Sequence, residues 1–174
     1  MRKIGFIGCG HMAQALIKGL KSNKSYELLG HDRNSKNIAW LKQEKIASYA
    51  LKEVCHQADI LMICVKPKDM YDLCSEMKTY IGKELKIVSV AAGITLESLK
   101  DALSGGKVYR AMPNIGAKHN LGITSIFSHE ELNEILDIFN YLGKAIVVED
   151  EDKINLHTSL IGLSLIHISE PTRQ

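Results

Sequence analysis

Two glycines, an acid and a base carry the first chemistry legible in this chain. The run Gly8-Cys9-Gly10-His11-Met12-Ala13 is followed, 22 residues after Gly10, by Asp32-Arg33. In a G-x-G-x-x-A run the first glycine makes a tight turn and the second lets a pyrophosphate approach the backbone. The small sixth residue lets a helix pack on its strand. The helix that follows offers unpaired N–H groups and about half a positive charge to phosphate oxygens. An acid about 20 residues further on meets the adenosine ribose hydroxyls. Asp32 therefore argues for NAD, while the Arg33 guanidinium, able to stack on adenine or pair with a 2′-phosphate, keeps NADP open. On residue types alone, Asp32-Arg33-Asn34-Ser35 also reads as a solvated turn capping a helix.

Such a turn needs a strand before it and a helix after it. Residues 4–7 are a short apolar run, and Met12, Ala15, Leu16, Gly19 and Leu20 share one helical face. Residues 26–31 read as a second strand and 37–44 as a helix with Ile38 and Leu41 inward. Residues 46–49 form a weak third strand, and 52–57 a short helix. The continuous apolar run 60–65 suits a central parallel strand buried on both faces. Met70, Leu73, Cys74, Met77 and Ile81 mark another helix, 87–90 a fifth strand, and Leu96, Leu99 and Leu103 the next helix. Strands at 108–111 and 122–127 follow. Ser128 with Glu131 then forms a capping-box pattern ahead of Leu132, Ile135, Leu136 and Phe139. Gly143 closes that helix and 145–148 is a last strand. The alternation predicts an α/β, Rossmann-type, doubly wound and mostly parallel sheet with helices on both faces.

The 174 residues, 45% hydrophobic, are enough for one stable core. A net charge of +2, from 22 basic and 20 acidic residues interspersed, points to neither nucleic acid nor an anionic membrane. No apolar run approaches the length of a membrane span. Cys9, Cys55, Cys64 and Cys74 form no zinc spacing, so reduced thiols in a cytoplasmic protein are expected. Cys9, at a helix N-terminus where a thiolate could be stabilised, reads as a small turn residue, and His11 as a turn residue facing solvent. No nucleophile triad, carboxylate pair or metal cluster competes with the dinucleotide reading.

In doubly wound sheets ligands bind beyond the carboxyl ends of the strands. Three predicted strand ends fall there: Val65-Lys66-Pro67, Ala91-Ala92-Gly93 and Met112-Pro113-Asn114. Small residues at the second would admit a flat nicotinamide ring. Asn114 could hydrogen-bond its carboxamide or ribose, and Lys66 could face phosphate or substrate.

These segments together, with Ile4-Gly5-Phe6-Ile7-Gly8-Cys9-Gly10-His11-Met12-Ala13, Ala91-Ala92-Gly93-Ile94-Thr95, Arg110-Ala111-Met112-Pro113-Asn114-Ile115 and Gly143-Lys144-Ala145, resemble the N-terminal part of a pyrroline-5-carboxylate reductase. The resemblance implies hydride transfer from NADPH or NADH to 1-pyrroline-5-carboxylate, giving L-proline. It places Gly8, Cys9, Gly10, His11, Met12 and Ala13 at the pyrophosphate, Val65, Lys66 and Pro67 beside the cofactor's central part, and Ala91, Ala92 and Asn114 near the nicotinamide. It carries no catalytic side chain onto this chain. Two departures stand out: Leu51 where the family usually has Asn, and Ile115-Gly116 where Met-Pro-Asn is usually followed by x-Pro.

The resemblance also implies domains: residues 1–150 bind the dinucleotide, and 151–162 open a helical domain that dimerises and holds the imine. Beyond Gly162 the match stops. Residues 163–174 resemble translated sequencing-adapter sequence, so a truncated, inactive chain with a non-native tail is expected, the intact protein being a homo-oligomer through the missing helices. A β-hydroxyacid dehydrogenase or a non-enzymatic dinucleotide sensor would share the first motif. The former would be expected to show a different glycine pattern after the fifth strand.

Overall fold

The computed structural model describes residues 1–154; the expected helical-domain residues 155–162 and the expected tail lie outside the described residues. Eight strands form one sheet in the order β3-β2-β1-β4-β5-β6-β7-β8. They are β1 (Arg2–Ile7), β2 (Tyr26–His31), β3 (Ala47–Ser48), β4 (Ile60–Ile63), β5 (Lys86–Ser89), β6 (Lys107–Met112), β7 (Gly122–Phe127) and β8 (Gly143–Val147). The strands from β3 across to β6 pair in parallel; β7 runs antiparallel to β6, and β8 parallel to β7. The chain leaves β1 towards β2 and β3, then returns to the other side of β1 with β4. That reversal puts the switch point between the carboxyl ends of β1 and β4, where such sheets open a crevice.

Among the described residues six α-helices cover the two faces: α1 (His11–Leu20), α2 (Ser35–Gln43), α3 (Leu51–Gln57), α4 (Met70–Met77), α5 (Leu96–Leu103) and α6 (Asn133–Tyr141). Leu16, Ile17 and Leu20 of α1, Leu41 of α2 and Ile135, Ile138 and Phe139 of α6 join one buried cluster. Val54 of α3, Met70, Leu73 and Met77 of α4 and Leu99 and Leu103 of α5 join the other, against Ile7, Leu61, Ile63 and Ile87. Burial of β4 on both faces is what its unbroken apolar run encodes. Ile154 is fully buried in the second cluster, so the segment after β8 packs back on the sheet. Gly19 allows α1 to press on the following half of the chain, since a Cβ there would strike the Ala117 carbonyl.

Three local expectations are corrected. Ile38 is exposed, and Leu41 alone carries the buried face of α2. No capping box forms at Ser128: its hydroxyl donates to the Val108 carbonyl at 2.7 Å and accepts the Glu130 N–H, and α6 starts later, after Leu132. A tertiary acceptor outcompetes the local cap. Gly143 opens β8 rather than only closing α6.

Candidate functional site

The turn between β1 and α1 is built round two glycines that are needed for different reasons. Gly8 has φ +83°, in the left-handed region, and a Cβ there would press on the Val65 side chain at 2.8 Å. Gly10 has an ordinary extended backbone, and a Cβ on it would meet nothing within 4 Å. Among the described residues no contact requires a glycine at position 10. The open space in front of it is a cradle that any side chain would fill. Gly10 is also the N-cap of α1: the Gln14 N–H donates to its carbonyl at 2.9 Å as the first helical bond, so the N–H groups of His11, Met12 and Ala13 precede the ladder. Ala13 is buried beneath them, and His11 is exposed.

Asp32 holds this turn in place. Its Oδ2 accepts the Cys9 N–H at 2.6 Å and the Asn37 amide at 2.9 Å, and its Oδ1 accepts the Asn34 N–H at 2.7 Å. The end of β2 is thereby tied to the glycine turn and to the first turn of α2. Asn34 in turn caps α2, accepting the Lys36 N–H at 2.9 Å, so the helix-capping reading of this stretch holds as well. Cys9 faces inward, its Sγ near the Phe6 and His31 carbonyls. Burial first, then the Asp32 charge, pushes its thiol up to about 12, so it is no thiolate despite its place beside a helix N-terminus.

A cavity of about 410 Å³ opens over the switch point. It brings together six of the residues singled out from the sequence, namely Gly8, Gly10, Asp32, Arg33, Val65 and Lys66. Cys9 and Ala13 lie buried behind it, and His11, Met12 and Pro67 do not line it. Ala91, Ala92 and Asn114 lie outside it too. Ala91 is buried and Ala92 exposed. Asn114 uses its amide oxygen to accept the Gly116 and Ile123 N–H groups, both at 3.2 Å, while its Nδ2 is buried with no partner. A buried donor left unmet is costly, and a carboxamide or ribose oxygen would satisfy it. The cavity also takes in Lys68, Asp69 and Leu73, from the 3-10 turn Pro67–Asp69 and α4, which sequence reasoning missed because only the turn at Lys66–Pro67 aims them at β2. The position of Asn37, five residues after Asp32, was the one available signal for its role.

A larger cavity, about 650 Å³, lies at the opposite edge, by the amino ends of β1, β4 and β5. Its charges are already paired: Arg2 and Lys86 both reach Glu134, Arg2 also approaches Asp59, and Glu84 pairs with Lys107 outside it. It sits away from the switch point and from the helix N-terminus. Among the described residues no helix is long and apolar enough to cross a membrane, and no cluster of metal-binding side chains occurs.

Residues 3–93 match the family described as NADP oxidoreductase, coenzyme F420-dependent. The chain belongs to this family. It is 34% identical over 160 residues to the pyrroline-5-carboxylate reductase of Escherichia coli K12, a match covering 86% of this chain and 60% of that protein. The chain thus spans about three fifths of that relative's length. Among solved structures, a pyrroline-5-carboxylate reductase from Coxiella burnetii superposes with a TM-score of 0.84 at 24% identity, over 95% of this chain and 66% of that one. The Plasmodium falciparum pyrroline carboxylate reductase, solved with NADP bound, gives a TM-score of 0.81 at 22% identity, over 96% and 64% of the two chains. The motif resemblance to the dinucleotide-binding domain of pyrroline-5-carboxylate reductases is therefore shown, and the Rossmann-type sheet with it.

Proposed function

We propose that this chain is the dinucleotide-binding part of an NAD(P)H-dependent reductase of 1-pyrroline-5-carboxylate, the whole protein forming L-proline and assembling as a homo-oligomer through the part of its relatives' length that this chain does not span. The observation that carries the reading is Gly10, whose backbone requires no glycine while the space before it stays open over the α1 N-terminus. The residues fit the group. Gly8 and Gly10 would face the pyrophosphate with the first N–H groups of α1, Asp32 the adenosine ribose, Val65 and Lys66 the central part, and the unmet Asn114 amide the nicotinamide end. A bound reduced dinucleotide supplies the hydride; the protein supplies binding and orientation.

The chain spans 60% of the Escherichia coli relative, and holding an imine carbon in attack geometry can be worth about 7–11 kcal/mol. We therefore expect the 174-residue chain to bind NADH and NADPH without reducing the imine. Fluorescence titration of each nucleotide, with an NAD(P)H-oxidation assay on the same sample, tests both parts. Absence of binding by either nucleotide overturns the dinucleotide reading. Turnover equal to that of an intact reductase overturns the assignment of imine binding to the remaining part.

A further inference from the structure

We infer that Glu76 sets the coenzyme preference of this site by holding the Arg33 guanidinium away from the ribose 2′ position. The inference rests on the dinucleotide reading above and adds a residue to it that no motif contains.

Arg33 follows Asp32 at the end of β2 and lines the switch-point cavity. It is the cation adjacent in sequence to the acid proposed to meet the ribose, and so the group placed to recognise an added 2′-phosphate. Its Nη2 is already engaged, donating to Glu76 Oε2 at 2.6 Å, a charge-assisted bond of good length. Glu76 lies on α4, one turn after Leu73, and Leu73 lines the same cavity. Glu76 does not itself line the cavity, so the pair ties the Arg33 guanidinium to α4.

A guanidinium paired with a carboxylate must give up that pair before it serves a phosphate. NADPH bears the cost and NADH does not: stacking on adenine, which both share, uses the guanidinium face and leaves the pair with Glu76 intact, and NADH has no 2′-phosphate to claim the edge. Asp32 acts in the same direction from the other side: its Oδ1 carries one donor and keeps a lone pair for a ribose hydroxyl, while its charge repels a phosphate. Lys66 and Lys68 line the cavity with no ion pair among the described residues, but they follow β4, whereas Arg33 is adjacent in sequence to Asp32. Arg33 is thus the discriminating cation and Glu76 its competitor. Both side chains are largely exposed, 72% and 46%, so the effect is that of an exposed ion pair, about two- to fivefold.

The test is a double-mutant cycle on the 174-residue chain. Dissociation constants for NADH and NADPH are measured for the parent, Glu76→Gln, Arg33→Gln and the double variant, with melting curves to verify folding. Glu76→Gln is expected to tighten NADPH about two- to fivefold and to leave NADH unchanged. With Arg33→Gln in place, Glu76→Gln is expected to change neither. A parent that binds neither coenzyme overturns the dinucleotide reading and this inference together. Binding of both, with a ratio indifferent to Glu76→Gln, overturns the inference alone. So does a ratio that still moves in the Arg33→Gln background, because Glu76 would then act on the phosphate directly.

Discussion

The carboxyl edge of the sheet divides into two regions that treat their polar groups in opposite ways. Over β1, β2 and β4 the groups that shape the site are spoken for: Asp32 receives three donors, and the Asn34 side chain caps α2. Over β6 and β7 the buried side-chain atoms Arg110 Nε and Nη2, Asn114 Nδ2 and Ser125 Oγ have no partner, and no other described residue has one so placed. Buried polar groups are ordinarily satisfied, and each exception marks a place where the fold is held by something other than local economy. The first region is preorganised from its own sequence, with an open cradle ready at Gly10. The second is tied to the chain that follows: Arg110 Nη1 donates to Glu151 at 2.9 Å, and the same Glu151 oxygen accepts the Leu96 N–H at 2.6 Å.

The largest effect separating the regions is expected at Gly10. Gly10→Val places a branched side chain in the cradle, and both dinucleotides should bind at least about a hundredfold more weakly, about 2.8 kcal/mol. Its backbone is extended and the added Cβ meets nothing, so the loss of stability should be that of a poorer N-cap, about 1 kcal/mol, and the chain should stay folded. Titration and denaturant melts on one sample read both quantities. Unchanged affinity would place the pyrophosphate elsewhere.

In the second region the prediction concerns stability and is asymmetric. Glu151→Ala strands a guanidinium that is 3% exposed and already short of two acceptors, a loss of about 3 kcal/mol. Arg110→Met removes the unmet donors together with the charge and leaves Glu151 its Leu96 N–H, so it should cost less than about 1 kcal/mol. Equal costs for the two variants would mean that the ion pair is not buried as the structure has it.

Asp32 connects shape to affinity. Asp32→Ser removes the acceptor of the Cys9 N–H, which orders the turn, and also the partner proposed for the ribose. We expect NADH to weaken by about tenfold, the scale of one charged hydrogen bond, and NADPH to weaken less. The preference then shifts towards NADPH even though neither nucleotide binds better. A gain in absolute NADPH affinity would mean that Asp32 acts on the phosphate alone, with its bond to the turn inconsequential.

What was legible in the sequence follows the same division. The turn from Gly8 to Ala13 was readable because strand, glycine spacing and helix period agree locally. The two-faced burial of β4 was readable from Ile60-Leu61-Met62-Ile63 for the same reason. Asp32 was found as an acid at the right spacing, yet its bond to Cys9 spans 23 residues and depends on β1 and β2 pairing in register. Glu76 was invisible, since only the packing of α4 brings it within reach of Arg33. The capping pattern at Ser128 failed for the converse reason: a local signal lost to the Val108 carbonyl on β6. Cavity residues Lys68, Asp69 and Leu73 come from a turn whose direction no periodicity encodes.

The smallest expected effect falls in the first half of the chain, because Cys9, Cys55, Cys64 and Cys74 all precede β5. Burial raises each thiol, Cys9 to about 12 with help from Asp32, and Cys55 and Cys74 to about 11. A raised acid binds its proton more tightly folded than unfolded. That contribution to stability is complete below the ordinary value of 9.0 and is lost as pH rises from there towards the folded values. Stability should therefore decline above about pH 9 through the dinucleotide half, while at pH 8 the buried thiols stay protonated and resist alkylation. Mass mapping of iodoacetamide adducts at pH 8 and pH 10 checks this, and a saturating dinucleotide should slow labelling of Cys9, whose N–H is part of the turn beside the ligand. Rapid modification of Cys9 at pH 8 in the folded chain would show that the turn opens on its own, and the contrast between a finished first region and a dependent second one would fail there.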